Sequence, residues 1–186
     1  MDFMDVLYGR RAIREYSPEP VSRGVLAELI AAATSAPSAM NHQPWAFVVI
    51  DGKERLERLG REAKRHLLDT LPPDSPMAAY RERLEADDFH LFHNAPALVV
   101  ICATEDEGQA REDCCLAAEN LMLTAFAKDL GTCWIGFARP WFNLPHVKAE
   151  LGFPDTFYPV APIVIGHPSV IPSPTPRAAP MIVVCD

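Results

Sequence analysis

Ala97-Leu98-Val99-Val100-Ile101-Cys102-Ala103 contains no charged and no amide side chain. A run that is apolar at every position, rather than at alternate ones, marks a strand covered on both faces. It is far too short to span a bilayer. Covering two faces takes helices on either side, and the flanking sequence offers them. Downstream, Gln109 to Asp129 is rich in Ala, Leu and Met and reads as a long helix ended by Gly131. Upstream, Lys53 to Leu68 is a charged amphipathic helix that buries Leu56, Leu59 and Ala63.

Further out, Trp45 to Ile50 is a β-prone run closed by Asp51-Gly52, and Cys133 to Ile135 and Val160 to Ile165 read as two more strands. Short helices are predicted over Asp2–Arg10 with Asp2 as cap, Ser22–Thr34, Met77–Phe89 and Leu144–Leu151. Prolines break the chain between Leu71 and Pro76. Strands alternating with helices give an α/β or α+β three-layer domain, predicted to span 1–186 without a second unit. After Gly166 a proline-rich arm, about 167–186, can form neither a helix nor an inner strand. It ends in the β-like run Met181 to Cys185, and such an arm is suited to reaching a second subunit.

Composition narrows the function classes. The chain is 49% apolar and 23% charged, as expected of a packed core. A net charge of −8 argues against nucleic acid or an anionic membrane as partner. Met1 to Asp5 lacks the basic start and apolar core of a signal peptide. The five cysteines form no CxxC pair, so neither zinc nor an iron–sulfur cluster is expected, and reduced cytoplasmic thiols are the simpler reading. His90 and His93 stand three apart, but no carboxylate pattern completes a metal site. No GxG, GxSxG or HExxH motif is present. A phosphorylated cofactor would therefore have to be held by arginines.

Three segments can carry chemistry. Arg10 and Arg14 are four apart, so a helical turn sets both on one side, and with Arg11 they offer paired, charge-assisted bonds to a phosphate. The competing reading is a helix C-terminus whose arginines complement the dipole. Ala36-Pro37-Ser38-Ala39-Met40-Asn41-His42-Gln43-Pro44-Trp45 leaves a helix for a strand and provides neutral donors and acceptors suited to a heterocycle, or an ordinary polar connection. Gly131-Thr132-Cys133-Trp134-Ile135-Gly136 can pack a flat ring and expose a backbone N–H, or cap a helix and begin a core strand. The pair Glu119 and Asn120 lies in an otherwise apolar helix and must find partners.

Taken in order, Arg10 to Tyr16, Ala36 to Trp45, Gly131 to Gly136 and the arm ending Pro176-Arg177 resemble the nitroreductase family, from Val6 to about Val184. The resemblance implies an α+β fold, a mixed sheet flanked by helices, and an intertwined homodimer with FMN between the subunits. It implies that Arg10, Arg11 and Arg177 hold the phosphate, with Ala12 beside them, and that Arg14 lies near the flavin's pyrimidine end. Pro37, Ser38, Ala39 and Asn41 would line the flavin from the other subunit. Trp134 and Ile135 would back the ring, and the Gly136 N–H would face N5. The flavin then carries the chemistry: a ping-pong hydride transfer from NAD(P)H to a small electron-poor acceptor such as a nitroaromatic or a quinone. The alternatives are a flavoprotein with a dedicated substrate, its choice set by residues 70–93, and a non-catalytic flavin binder or redox sensor. Two departures weaken phosphate anchoring, each by roughly 0.5–1.5 kcal/mol: Ala12 stands where the family often has Ser, and Thr175, Ala178 and Ala179 replace a second basic residue.

Overall fold

Strand β2 (Ala97–Ala103) is buried at every position, and its side chains part by the two-residue period of a strand. Leu98, Val100 and Cys102 enter one core while Ala97, Val99, Ile101 and Ala103 enter another. The computed structural model describes residues 1–185; position 186, the last of the predicted arm, lies outside the described residues. The sheet holds β1 (Trp45–Asp51), β2, β3 (Gly131–Trp134) and β4 (Tyr158–Gly166) in the order β1-β2-β4-β3, with every neighbouring pair antiparallel. The four strands are thus wholly antiparallel where a mixed sheet was expected; the one parallel contact, the isolated Ala12–Thr132 bridge, lies outside them.

One face is covered by α3 (Lys53–Thr70), α6 (Arg139–Phe142) and α7 (Pro145–Leu151). Leu56, Leu59, Ala63 and Leu67 of α3 line up at helical spacing and are buried, as the amphipathic pattern requires. The other face is covered by α2 (Arg23–Ala33) and α5 (Gly108–Ala127). Ser22 caps α2 by accepting from the Val25 N–H, and Asp2 caps α1 (Phe3–Gly9) in a reciprocal box with Asp5. The fold is α+β in three layers.

Three local expectations change. The predicted Met77–Phe89 helix is a 3-10 turn, Pro76–Tyr80, followed by α4 (Arg81–Glu85), because the chain turns extended at Ala86. The Lys64 ammonium donates to the carbonyls of Ala86 (2.8 Å) and Phe89 (3.2 Å), which takes that backbone out of a helix. Gly131 does not cap α5. The left-handed residue after that helix is Asp129 (φ 59°), and Gly131 starts β3. Gly131 is needed for contact: a Cβ there would stand 2.6 Å from Ile13 Cγ1. Finally, the β-like run 181–185 forms no strand within the single chain and is exposed.

Candidate functional site

The basic stretch after α1 is laid along the sheet edge. Arg10 caps α1 through its N–H to the Val6 carbonyl. The chain then runs beside β3, with the Ile13 N–H donating to the Thr132 carbonyl (2.9 Å), and beside the exit of β4, with Ser17 N–H donating to the His167 carbonyl (2.9 Å). Tyr16 fixes the strip from within by donating its hydroxyl to the Ile13 carbonyl (2.7 Å). Burial pushes the Tyr16 phenol above its ordinary value, the Cys133 sulfur adds to this and Arg14 opposes it. Tyr16 is therefore a structural donor rather than an acid.

Pinned this way, Arg14 meets the 133–136 segment. Arg14, Cys133, Trp134, Ile135 and Gly136 line one cavity of about 690 Å³, closed by Met77, Tyr80, Phe89, Leu91, His93 and Phe137. Its walls are mostly apolar and aromatic, with Arg14 the one full charge among them. Gly136 heads a single turn, Gly136–Ala138, so its N–H has no partner inside that turn. A Cβ at Gly136 would meet nothing within 4 Å, so the space above this backbone is open. Those are the conditions under which a flat ring can lie against the chain. The Cys133 thiol is pushed up by burial, with the Arg14 guanidinium partly offsetting it.

His93 was not among the site residues expected from sequence, yet it faces the same cavity. It and Asn94 both adopt left-handed backbone (φ 52° and 55°), and its ring meets Phe89 edge-on at 6.1 Å. Burial, then Arg14 and Arg83, push the imidazole down to about 4, so it is neutral near pH 7.

The phosphate candidates stand differently. Arg10 is half-buried; its Nε lies 3.5 Å from Glu119 Oε1 and has no hydrogen-bond partner. A buried guanidinium N–H left without an acceptor is a donor awaiting one. Arg11 curls back, Nη1 donating to the carbonyls of Tyr8 (2.6 Å) and Arg10 (2.7 Å). Ala12 is held in the bridge to Thr132. Arg177 is exposed on the arm. Pro37, Ser38, Ala39 and Asn41 do not line the Arg14 cavity; they sit in a loop tied to α5. A second cavity of about 370 Å³, between α3 and residues 87–95, contains none of the expected site residues. The structure therefore gathers Arg14 with 133–136 and leaves 37–41 and Arg177 outside that cavity.

These features define a three-layer α+β protein with a mostly apolar cavity beside an arginine-bearing sheet edge. The chain belongs to the nitroreductase family, whose model matches residues 7–167. It is 31% identical over 178 residues, 92% of this chain and 68% of the relative, to FMN reductase [NAD(P)H] of Bacillus subtilis (strain 168). It is 32% identical over 183 residues, 90% of this chain and 82% of the relative, to 5,6-dimethylbenzimidazole synthase of Rhodospirillum rubrum. Its fold matches a nitroreductase with bound FMN from Desulfitobacterium hafniense DCB-2 with a TM-score of 0.84, at 23% identity and full coverage of both chains. The protein is an oxidoreductase of this family, and no helix among the described residues is long and apolar enough to cross a membrane.

Proposed function

We propose that the chain is an FMN-dependent oxidoreductase that takes reducing equivalents from NAD(P)H and passes them to a small electron-poor acceptor, a nitroaromatic or a quinone. The observation that carries this reading is the single cavity shared by Arg14 and Cys133–Gly136, open above the Gly136 backbone. When bound there, FMN would supply a two-electron carrier between the nicotinamide and the acceptor.

The protein's part is to bind, orient and polarise. Arg10, with its free Nε, would hold the phosphate together with Arg11, once its Nη1 turns from the Tyr8 and Arg10 carbonyls, and with Arg177 from the arm. Arg14 sets a positive charge at the pyrimidine end, where reduction builds negative charge. The Gly136 N–H would donate toward the ring's reacting nitrogen, and Trp134 and Ile135 would back the ring. Ala12 offers no hydroxyl, so the phosphate has one donor fewer. Ser38 and Asn41, with Pro37 and Ala39, approach from a second copy of the chain. A homodimer is supported by the exposed apolar face of α1, where Phe3 is 65% and Tyr8 69% exposed, beside Leu116 of α5 at 47%. The apolar end of the arm, with Met181 93% exposed, supports it too. The setting is the cytoplasm, which suits five free thiols.

A second reading keeps the flavin but gives it a dedicated compound. The similarity to a dimethylbenzimidazole synthase favours it, as does the wall built by Met77, Tyr80, Phe89, Leu91 and His93, where such a choice would be made. The deciding experiment is the visible spectrum of the purified protein, followed by anaerobic addition of NADH or NADPH. A flavin spectrum that bleaches is expected. One that resists both nucleotides moves the assignment to the dedicated-substrate or sensor readings, and a protein that takes up no FMN overturns it.

A further inference from the structure

Asp113 is 2% exposed in the second turn of the sheet-covering helix α5, and the reaction proposed above gives it no role. A buried carboxylate is costly to desolvate and accepts hydrogen bonds only. Its partners are few and local to one feature. The Ala39 N–H donates to both carboxylate oxygens, at 3.3 and 3.2 Å, across 74 residues of sequence, and Gln109 Nε2 donates to Oδ1 at 3.3 Å.

The loop that receives this tether is strained. Met40, Asn41 and Gln43 adopt left-handed backbone at φ 48°, 58° and 51°, and none is glycine. Such conformations persist only where the surroundings over-determine them. Met40 is 92% exposed, so packing of its side chain does not hold the loop. Inside the loop, the Gln43 N–H donates to Ser38 Oγ (2.9 Å) and the Asn41 N–H to the Ser38 carbonyl (3.0 Å). The outer anchors come from α5: Asp113 takes the Ala39 N–H, and the next residue, Cys114, points its thiol at the Pro44 carbonyl (3.9 Å). Two consecutive helical residues thus hold the two ends of one loop. Six residues further along α5, about 9 Å on, Glu119 faces Arg10.

We infer that Asp113 is a positioning residue: by fixing the Ala39 N–H it sets the strained 38–43 loop in the shape that presents Ser38 and Asn41 to the flavin. This rests on the flavin reading above. Through α5 the same helix orients a group on the phosphate side, Arg10, and the loop offered to the other copy's flavin.

Two variants test it from opposite ends. Asp113→Asn keeps the shape but replaces one acceptor oxygen with an amide donor. FMN should bind about tenfold more weakly, equivalent to about 1.4 kcal/mol, and the amides of Ala39 and Asn41 should exchange faster with deuterium. Ala39→Pro removes the donor instead. It suits the backbone, because Ser38 is already extended (φ −139°, ψ 155°) and position 39 opens a helical turn. If the carboxylate acts through Ala39, the double variant binds FMN no more weakly than the weaker single variant. Additive losses overturn the tether, as does wild-type FMN affinity with unchanged exchange in Asp113→Asn. If the wild-type protein takes up no FMN, the flavin reading falls. Amide exchange of Ala39 and Asn41 in Asp113→Asn then decides the tether alone.

Discussion

Arg10 Nε lies 3.5 Å from Glu119 Oε1, close enough for charge attraction and too poorly placed for a hydrogen bond. A half-buried ion pair without a hydrogen bond, its side chains 22% and 43% accessible and still reached by solvent, contributes about 0–1 kcal/mol to stability. The arginine is thus oriented but not consumed. Arg10→Ala should weaken FMN binding by tenfold or more, since hydrogen bonds to charged groups are worth roughly 1.5–3 kcal/mol. Glu119→Gln should change it by no more than a few-fold. Titration of apoprotein with FMN, followed by flavin fluorescence, separates the two, and equal losses would show that the pair itself is what matters.

The double variant Arg10→Ala/Arg177→Ala removes one anchor at the sheet edge and one on the arm. It is expected to purify colourless and to stay so after incubation with FMN. A double variant that remains yellow would remove the phosphate assignment.

Gly131 and Gly136 make a matched pair. A methyl at Gly131 meets Ile13 Cγ1 at 2.6 Å, so Gly131→Ala must displace the strip that carries Arg14 and should cost roughly 1–3 kcal/mol in urea unfolding. A methyl at Gly136 meets nothing within 4 Å, so Gly136→Ala should leave unfolding unchanged while weakening FMN binding. Loss of stability in Gly136→Ala would mean that the space above it is not free.

His93 gives stability a pH dependence of known sign. Its folded value, about 4, lies below the ordinary 6.5, so between these values the unfolded chain binds a proton that the folded chain refuses. The neutral ring's contribution is complete above about pH 6.5 and is lost as pH falls toward 4. His93→Gln should flatten this part of the profile of thermal midpoint against pH. Parallel profiles for the two proteins would place the acid sensitivity elsewhere.

Most of this architecture was legible because the strongest signals were periodic. β2 matches the run Ala97–Ala103 residue for residue, and α3 follows its leucine spacing. The Met77–Phe89 helix failed where a distant group intervened: Lys64, on another helix, captures the Ala86 and Phe89 carbonyls. Gly131 was misread for a related reason, since the contact that demands glycine comes from Ile13, more than a hundred residues away. At the site, Arg14 and 133–136 proved neighbours, while His93 was weighed singly as a metal ligand and otherwise only as the end of the substrate-choice stretch 70–93, and Asp113 was passed over among the charges that open α5. A signal for Asp113 existed: it shares the buried helical positions of Ala110, Ala117 and Leu121, where a carboxylate is out of place unless something bonds to it.

β2 sends alternate side chains into two separate cores, and neither core can lose its filling without disturbing the strand that serves the other. Leu98→Ala, on the α3 side, should cost roughly 2–5 kcal/mol and lower the melting of the α2 and α5 layer by the same amount, which amide exchange resolved by residue would show. Equal losses in both layers would mean that the molecule has no fault line: its two halves melt as a single body, and damage to either side of the sheet is spread over both.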